Sequence, residues 1–532
     1  MTLQLTAQDI DLYSKRMRLS NNKAERESLL IGFNPHHEYP IVVDTELLLE
    51  HMHITGATGS GKTSLGVIPL IQKLIRNEEA CLILDLKGDD AMFHTARLEA
   101  KKTGRQFKWF TNRPNYSTYV FNPFVQEHLK SLTVADVTGF FIASLNMHHG
   151  LDYGRAYFSI MARTYLQHAL KRSMGMERPR SGIAAVQLPP RPIRSFADLY
   201  DLLIEISATH DEYRSASHLA YVIRNLADFP QLNLAHGPDG AEDQAVMANA
   251  IHMPDVIAEK QVAYFYLSPA FDVTSVAEIA RLAIYAAINA AVAHRQKTGQ
   301  RARVLVICDE AQLIIGQNIS NVLAQARSHG VGCILAHQTL SQLNPPGGVD
   351  LRELVLNCTA VKQFWAARDP NSREYISKIS GEVMHYSANW SQLKNRVLRS
   401  EIGRRFAAGI DEAPITMGVR EQLGPRISSQ DIENYGRQPN TSIMAIHRNQ
   451  GYSCYDGAFP VVTPWAMSKS EYDHRSHAIE WPESTDETIV VPPDWDPDRF
   501  TLPDEVPQQT EDDRTATLNL LDQLHLDLDL PE

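Results

Sequence analysis

The chain has 532 residues, more than one hydrophobic core usually serves, so two or three structural units are expected. Its 43% hydrophobic content is that of a globular protein, no run of about 18 uncharged apolar residues occurs, and five isolated cysteines without C-x-x-C spacing argue for a reducing compartment and against structural zinc. The net charge of −12 is concentrated at one end: from Pro482 onward fifteen acidic residues face two arginines, so the other 481 residues carry +1 and a nucleic-acid partner is not excluded.

The opening residues have neither a basic nor an apolar leader region, so no signal sequence or membrane anchor is expected. Residues 1–45 read as an N-terminal segment, mixed polar and basic (Lys15, Arg16, Arg18, Lys23, Arg26), ending near a strand over Tyr39–Val43. The adjacent His36 and His37 read as a solvated turn.

Gly56–Thr63 fits G-x-x-x-x-G-K-[ST], the loop whose backbone N–H groups cradle a triphosphate. Gly56, Thr58, Gly59, Ser60 and Gly61 would wrap the phosphates of ATP, with glycine supplying the positive φ that such a curl needs. Lys62 would reach the β- and γ-phosphates, Thr63 would hold Mg²⁺, and the helix opening there adds its positive end.

Helical spacing over Ser64–Arg76 is followed by the continuously apolar Ala80–Leu84, which ends in Asp85 and Lys87, candidates for nucleotide binding. A helix over Ala91–Thr103 and a strand over Phe107–Thr111 complete a β-α-β alternation, so the fold class is α/β with a doubly wound sheet. This nucleotide-binding domain takes residues 46–124 and 255–465. Residues 125–254 lose the strand pattern and read as an all-α insertion, with helices over Thr133–Asn146, Tyr153–Ser173, Phe196–Ile206 and Tyr213–Leu226. Its loops carry Arg172, Arg178, Arg180, Arg191 and Arg194, either a DNA-facing set or a solvated linker.

The sheet resumes at Val262–Leu267, a buried core helix follows over Val276–Arg295, and further strands are expected at Val304–Glu310 and Gly332–Gln338. From residue 466 to 532 the sequence turns Pro- and Asp-rich and reads as an acidic, largely disordered tail.

Several strands thus end in a polar group, and in open α/β sheets such ends converge on one crevice. Asp309 has the character of a metal-holding carboxylate acting with Thr63, and Glu310 of the base that orients water. Gln338 is placed to hydrogen-bond the γ-phosphate or that water. Arg327, in the last turn of a helix over Ile319–Ser328, reads equally as a helix cap and as a catalytic arginine reaching a neighbouring subunit.

Gly56–Thr63, Asp85-Leu-Lys-Gly-Asp89, Asp309-Glu310, Ala326–Gly330 and His337–Leu343 together resemble the type IV secretion coupling proteins of the TraD/TraG group, within the FtsK/HerA-type motor ATPases. The resemblance spans roughly residues 30–465. It implies a RecA-like P-loop NTPase domain with an all-α insert, a homo-oligomer that is a ring hexamer, DNA in its channel, taken as single-stranded, and relaxase or relaxosome and secretion-system partners. It also makes Arg327 the arginine acting in trans and Gln338 the sensor glutamine. Members usually carry an N-terminal pair of membrane helices; none is seen here, so a cytoplasmic protein docked at the inner membrane through a membrane-protein partner is expected. Two other functions stay open: a HerA-like DNA-processing or defence motor, and an ATP-gated recruitment platform for protein substrates.

Overall fold

The computed structural model describes residues 7–36, 39–147, 153–176, 191–210, 213, 216–234, 242–269, 273–316, 319–344, 350–392, 415–447, 453–465, 467–477 and 479–492. An eleven-stranded mixed sheet organises them. In chain order its strands are β1 (Ser28–Phe33), β2 (Pro40–Asp44), β3 (Met52–Gly56), β4 (Ala80–Asp85), β5 (Phe107–Thr111), β6 (Val262–Tyr266), β7 (Val304–Asp309), β8 (Val331–His337), β9 (Val361–Trp365), β10 (Thr441–His447) and β11 (Ser453–Val462). Across the sheet they run 2-1-11-10-9-3-8-7-4-6-5.

The seven strands from β9 to β5 are parallel, and β10, β11, β1 and β2 extend the sheet with antiparallel pairing. Every residue of β3, β4, β6, β7 and β8 is buried, as expected where helices cover both faces of a parallel sheet. One such cover is the helix Val273–Thr298. Its apolar stretch is long enough to cross a membrane by length and composition, but 72% of that window is buried inside the fold, with Ile279, Leu282 and Ala286 fully enclosed.

The helical stretch follows the expected pattern. Val134–Ser144, Tyr153–Ser173, Phe196–Thr209 and Ser217–Ala227 are helices, the first opened by a reciprocal cap between Thr133 and Asp136. Arg172 and Arg191 turn onto Glu205 and Asp201, which weighs against a DNA-facing role for these two; Arg178 and Arg180 lie outside the described residues. Apart from the main sheet, Glu382–Gln392 and Ile415–Pro425 pair as a long two-stranded ribbon.

Two boundaries drawn from the sequence move. Residues 28–44 belong to the sheet as β1 and β2 rather than to a separate segment, and β1 hydrogen-bonds to β11 from the far end of the chain. Residues 467–477 and 479–492, expected to belong to the tail, are instead packed on the fold. The helix Lys469–His477 lies on the helix Asp90–Lys102, where buried Arg475 donates to Thr95 Oγ1 at 3.0 Å. Trp481 stacks on Phe93 with centroids 4.3 Å apart, and Ile489–Val490 pairs with Ser117–Thr118. Acidic composition had masked an aromatic anchor. Residues 493–532 lie outside the described residues.

Candidate nucleotide site

The site forms at the carboxyl ends of β3, β4, β7 and β8. The register explains the convergence: Asp85 lies opposite Asp309, Asp309 opposite Ala336, and Thr55 opposite His337. After β3 the chain turns through Gly59 (φ 75°) and Gly61 (φ 91°) into a wide-turned helical stretch, Lys62–Val67, that continues as the α-helix Ile68–Arg76. Gly56 is required by packing, since a Cβ there would come within 2.6 Å of Ser60 Oγ and 2.7 Å of Trp365 Cβ.

Lys62, nearly buried, donates to Asp309 Oδ1 at 2.5 Å and to Glu310 Oε1 at 3.3 Å, while Thr63 Oγ1 donates to Asp309 Oδ2 at 3.0 Å. Burial opposes the Lys62 charge, but the carboxylates of Asp309 and Glu310 outweigh it and hold the ammonium above its ordinary pKa. Burial likewise opposes the Glu310 charge; Lys62, with hydrogen bonds from Gln312 (2.7 Å) and Gln338 (3.3 Å), more than compensates and keeps its carboxyl below the usual value. Glu310 sits in the left-handed region at φ 58°, an uncommon conformation for a residue with a Cβ and one that occurs at functional sites. Gln338 also accepts from Thr58 Oγ1 at 3.2 Å, so one amide joins the phosphate loop to Glu310.

The residues suit a magnesium-bound triphosphate. Lys62 and the positive-φ glycines form the cradle, and Ser60 Oγ in that cradle is buried without a hydrogen-bond partner among the described residues. Thr63 and Asp309 already meet where a divalent ion would be held.

Three expected site residues stand apart. Asp85 is fully buried, but its carboxylate accepts from the backbone N–H groups of Lys87, Gly88 and Asp89 and from Tyr264 Oη at 2.9 Å, which makes it the organiser of its own loop. Burial, then the charge of Asp89, pushes its pKa up to about 7. Lys87 is exposed. Arg327 lies at the other end of the sheet, just before β8 begins, roughly 20 Å along the strand direction from Gln338 at 3.3 Å per residue. There it pairs with Glu50 Oε1 at 3.3 Å beside Arg295 and Arg301.

Sequence reasoning missed Trp365, Gln312 and His53. Trp365 on β9 stands opposite Gly56 and buttresses the loop. Gln312 fixes Glu310, and its position two residues on was the only signal for it. His53 and His337, both fully buried, join through their Nε2 atoms beneath the loop. Burial, then the nearby Lys62, lowers the pKa of His337 to about 3.

Two family models match the chain: the central domain of the HerA helicase over residues 29–252, and the TraM recognition site of TraD and TraG over residues 303–406. No curated protein matches in sequence. Among solved structures, the unbound bacterial conjugative coupling protein TrwBdeltaN70 is similar at 13% identity, with 86% of this chain and 91% of that chain covered and a TM-score of 0.51. TrwB with a non-hydrolysable ATP analogue gives 12%, 87%, 93% and 0.52; TrwB with ADP and Mg²⁺ gives 12%, 87%, 94% and 0.50. At these identities the likeness is one of fold, and it is the RecA-like architecture with an all-α domain expected from the motifs.

Proposed function

With a chain of the TraD/TraG and HerA-type P-loop ATPase group as the premise, we propose an ATP-hydrolysing oligomeric motor that moves DNA and couples it to a type IV secretion or conjugation apparatus. The observation that carries the hydrolytic part is the closed set Lys62, Thr63, Asp309, Glu310 and Gln338, drawn from three strand ends into one hydrogen-bonded group.

Lys62 exchanges its carboxylate partners for the anionic phosphates of ATP. Thr63 and Asp309 would hold Mg²⁺, which when bound would supply charge neutralisation at the phosphates. Glu310, still held by the side-chain amides of Gln312 and Gln338, orients a water and accepts its proton. Gln338 bridges Thr58 and Glu310, so a change at the phosphate end of the loop reaches the β8 strand end. Arg327 cannot reach the site of its own subunit; its place at the opposite sheet end supports action on a neighbour's nucleotide in a ring, with a hexamer as the assembly. The partners follow from the same reading: single-stranded DNA in the channel, and a relaxosome protein recognised through residues 303–406.

A second reading, a HerA-like DNA-processing motor, draws on the match over residues 29–252, the longer of the two. ATP turnover with and without single- and double-stranded DNA tests the proposal. Wild type should be stimulated by DNA and Lys62→Ala should be inactive; turnover without DNA binding or stimulation removes the motor reading. Mixing Arg327→Ala with Glu310→Gln subunits should restore partial activity, and no rescue in verified mixed oligomers counts against action in trans.

A further inference from the structure

The phosphate loop is also a wall of a second space that none of Asp309, Glu310 or Gln338 lines. Ser60 and Ser64 form one side of it; Arg368, Gln438, Asn440 and Trp465 form the other, around a volume of about 410 Å³. The far wall is built by two bends in the chain. Just after β9, Ala366 turns the chain at positive φ (40°), and Asn440 (58°) turns it into β10, its carbonyl accepting from Thr463 N–H at 2.8 Å. Trp465 follows closely, 38% exposed, with Tyr472 at its edge 6.5 Å away.

The orientation of a nucleotide here is set by the chain. Glu310 and Gln338 mark the end at which phosphate is cleaved, on one flank of Lys62, so the rest of the molecule must leave by the flank of Gly61 and Ser64, where this space opens. The wall carries the groups a nucleoside uses. An indole offers a flat apolar face, and the side-chain amides of Gln438 and Asn440 make no hydrogen bond among the described residues. Arg437 is committed to Glu433 at 2.5 Å, whereas exposed Arg368 has no ion-pair partner among the described residues.

We propose that this space receives the nucleoside half of the nucleotide, with Trp465 stacked on the base and Arg368, Gln438 and Asn440 donating to the ribose and base edge. The inference rests on the reading of the loop as an ATP site. It gives the segment after β11 a part in nucleotide selection.

The test compares binding of ATP and of inorganic tripolyphosphate, which has the phosphates and no nucleoside, to wild type, Trp465→Ala, Trp465→Phe and Lys62→Met by titration calorimetry. Base stacking on an aromatic side chain corresponds to a loss of roughly 5- to 150-fold on its removal. Trp465→Ala should weaken ATP by that factor and leave tripolyphosphate unchanged, while Trp465→Phe keeps most of the ATP affinity. Unchanged tripolyphosphate binding also shows that the variant is folded. If ATP binds wild type through Lys62 but Trp465→Ala weakens both ligands equally, or neither, the nucleoside assignment is wrong and the ATP site stands. If wild type binds neither ligand, or Lys62→Met changes nothing, the ATP site itself fails and this inference with it.

Discussion

Replacing Lys62 by Met keeps the side chain's length and removes its charge. Asp309 and Glu310, whose side chains are 0% and 12% exposed, would then face each other without the ammonium that sits 2.5 and 3.3 Å from them. At an effective dielectric of 20 the shorter contact alone is an attraction of about 6–7 kcal/mol. The ammonium no longer has to be desolvated, which offsets part of that, and breaking a buried pair leaves a net cost of about 3–5 kcal/mol. The nucleotide-free protein should therefore open more readily around β3 and β7, read by hydrogen exchange over residues 52–66 and 304–312 and by the first urea transition. Adding Asp309→Asn removes one of the stranded charges and should restore about 2 kcal/mol or more. A Lys62→Met protein with wild-type protection, or an Asp309→Asn change that adds its own cost instead of relieving the first, would refute the argument that these charges hold each other in place.

Other expectations follow from the same geometry. Glu310→Gln keeps the hydrogen-bonding shape and loses the base, so phosphate release should fall roughly 100-fold or more while nucleotide affinity is retained; turnover within about tenfold of wild type would move the base elsewhere. His337 has a native pKa near 3 against 6.5 unfolded, so the unfolded chain takes the proton first as pH drops. Its contribution is complete above pH 6.5 and is lost toward pH 3 by up to ~1.4 kcal/mol per pH unit. His337→Asn should make the dependence of the urea midpoint on pH shallower over that range, and an unchanged slope would place the titration in other groups.

The grouping of the candidate site was legible because its signals are local. A phosphate loop needs small residues in a fixed pattern, and Asp309-Glu310 and Gln338 stand at the ends of uninterrupted apolar runs. Asp85 looked the same by that criterion, yet its carboxylate is taken up by three backbone N–H groups within four residues, a short-range competition that spacing alone does not reveal. The strand at the border between the parallel and antiparallel parts of the sheet was hidden for a different reason. In β9 the buried Lys362 and Gln363 interrupt the apolar pattern, and their polar atoms are satisfied by Thr359 O and Ser442 Oγ, partners visible only once the chain is folded. Trp365 was missed with that strand. Arg327 kept two meanings on spacing, and only the fold shows that it lies across the sheet from Lys62 and pairs with Glu50.

The stretch from Lys469 to Val490 has a consequence for where this protein can be cut. A deletion placed at residue 466, where composition alone changes character, would take away Trp481 from its stack on Phe93 and Glu487 from Tyr119 Oη, and would leave Ser117–Thr118 without its partner strand. Those last residues lie just ahead of the helical insertion. The stretch from Lys469 to Val490 is therefore a clamp on the root of that insertion, and a chain shortened there loses the hold at both Phe93 and Ser117–Thr118.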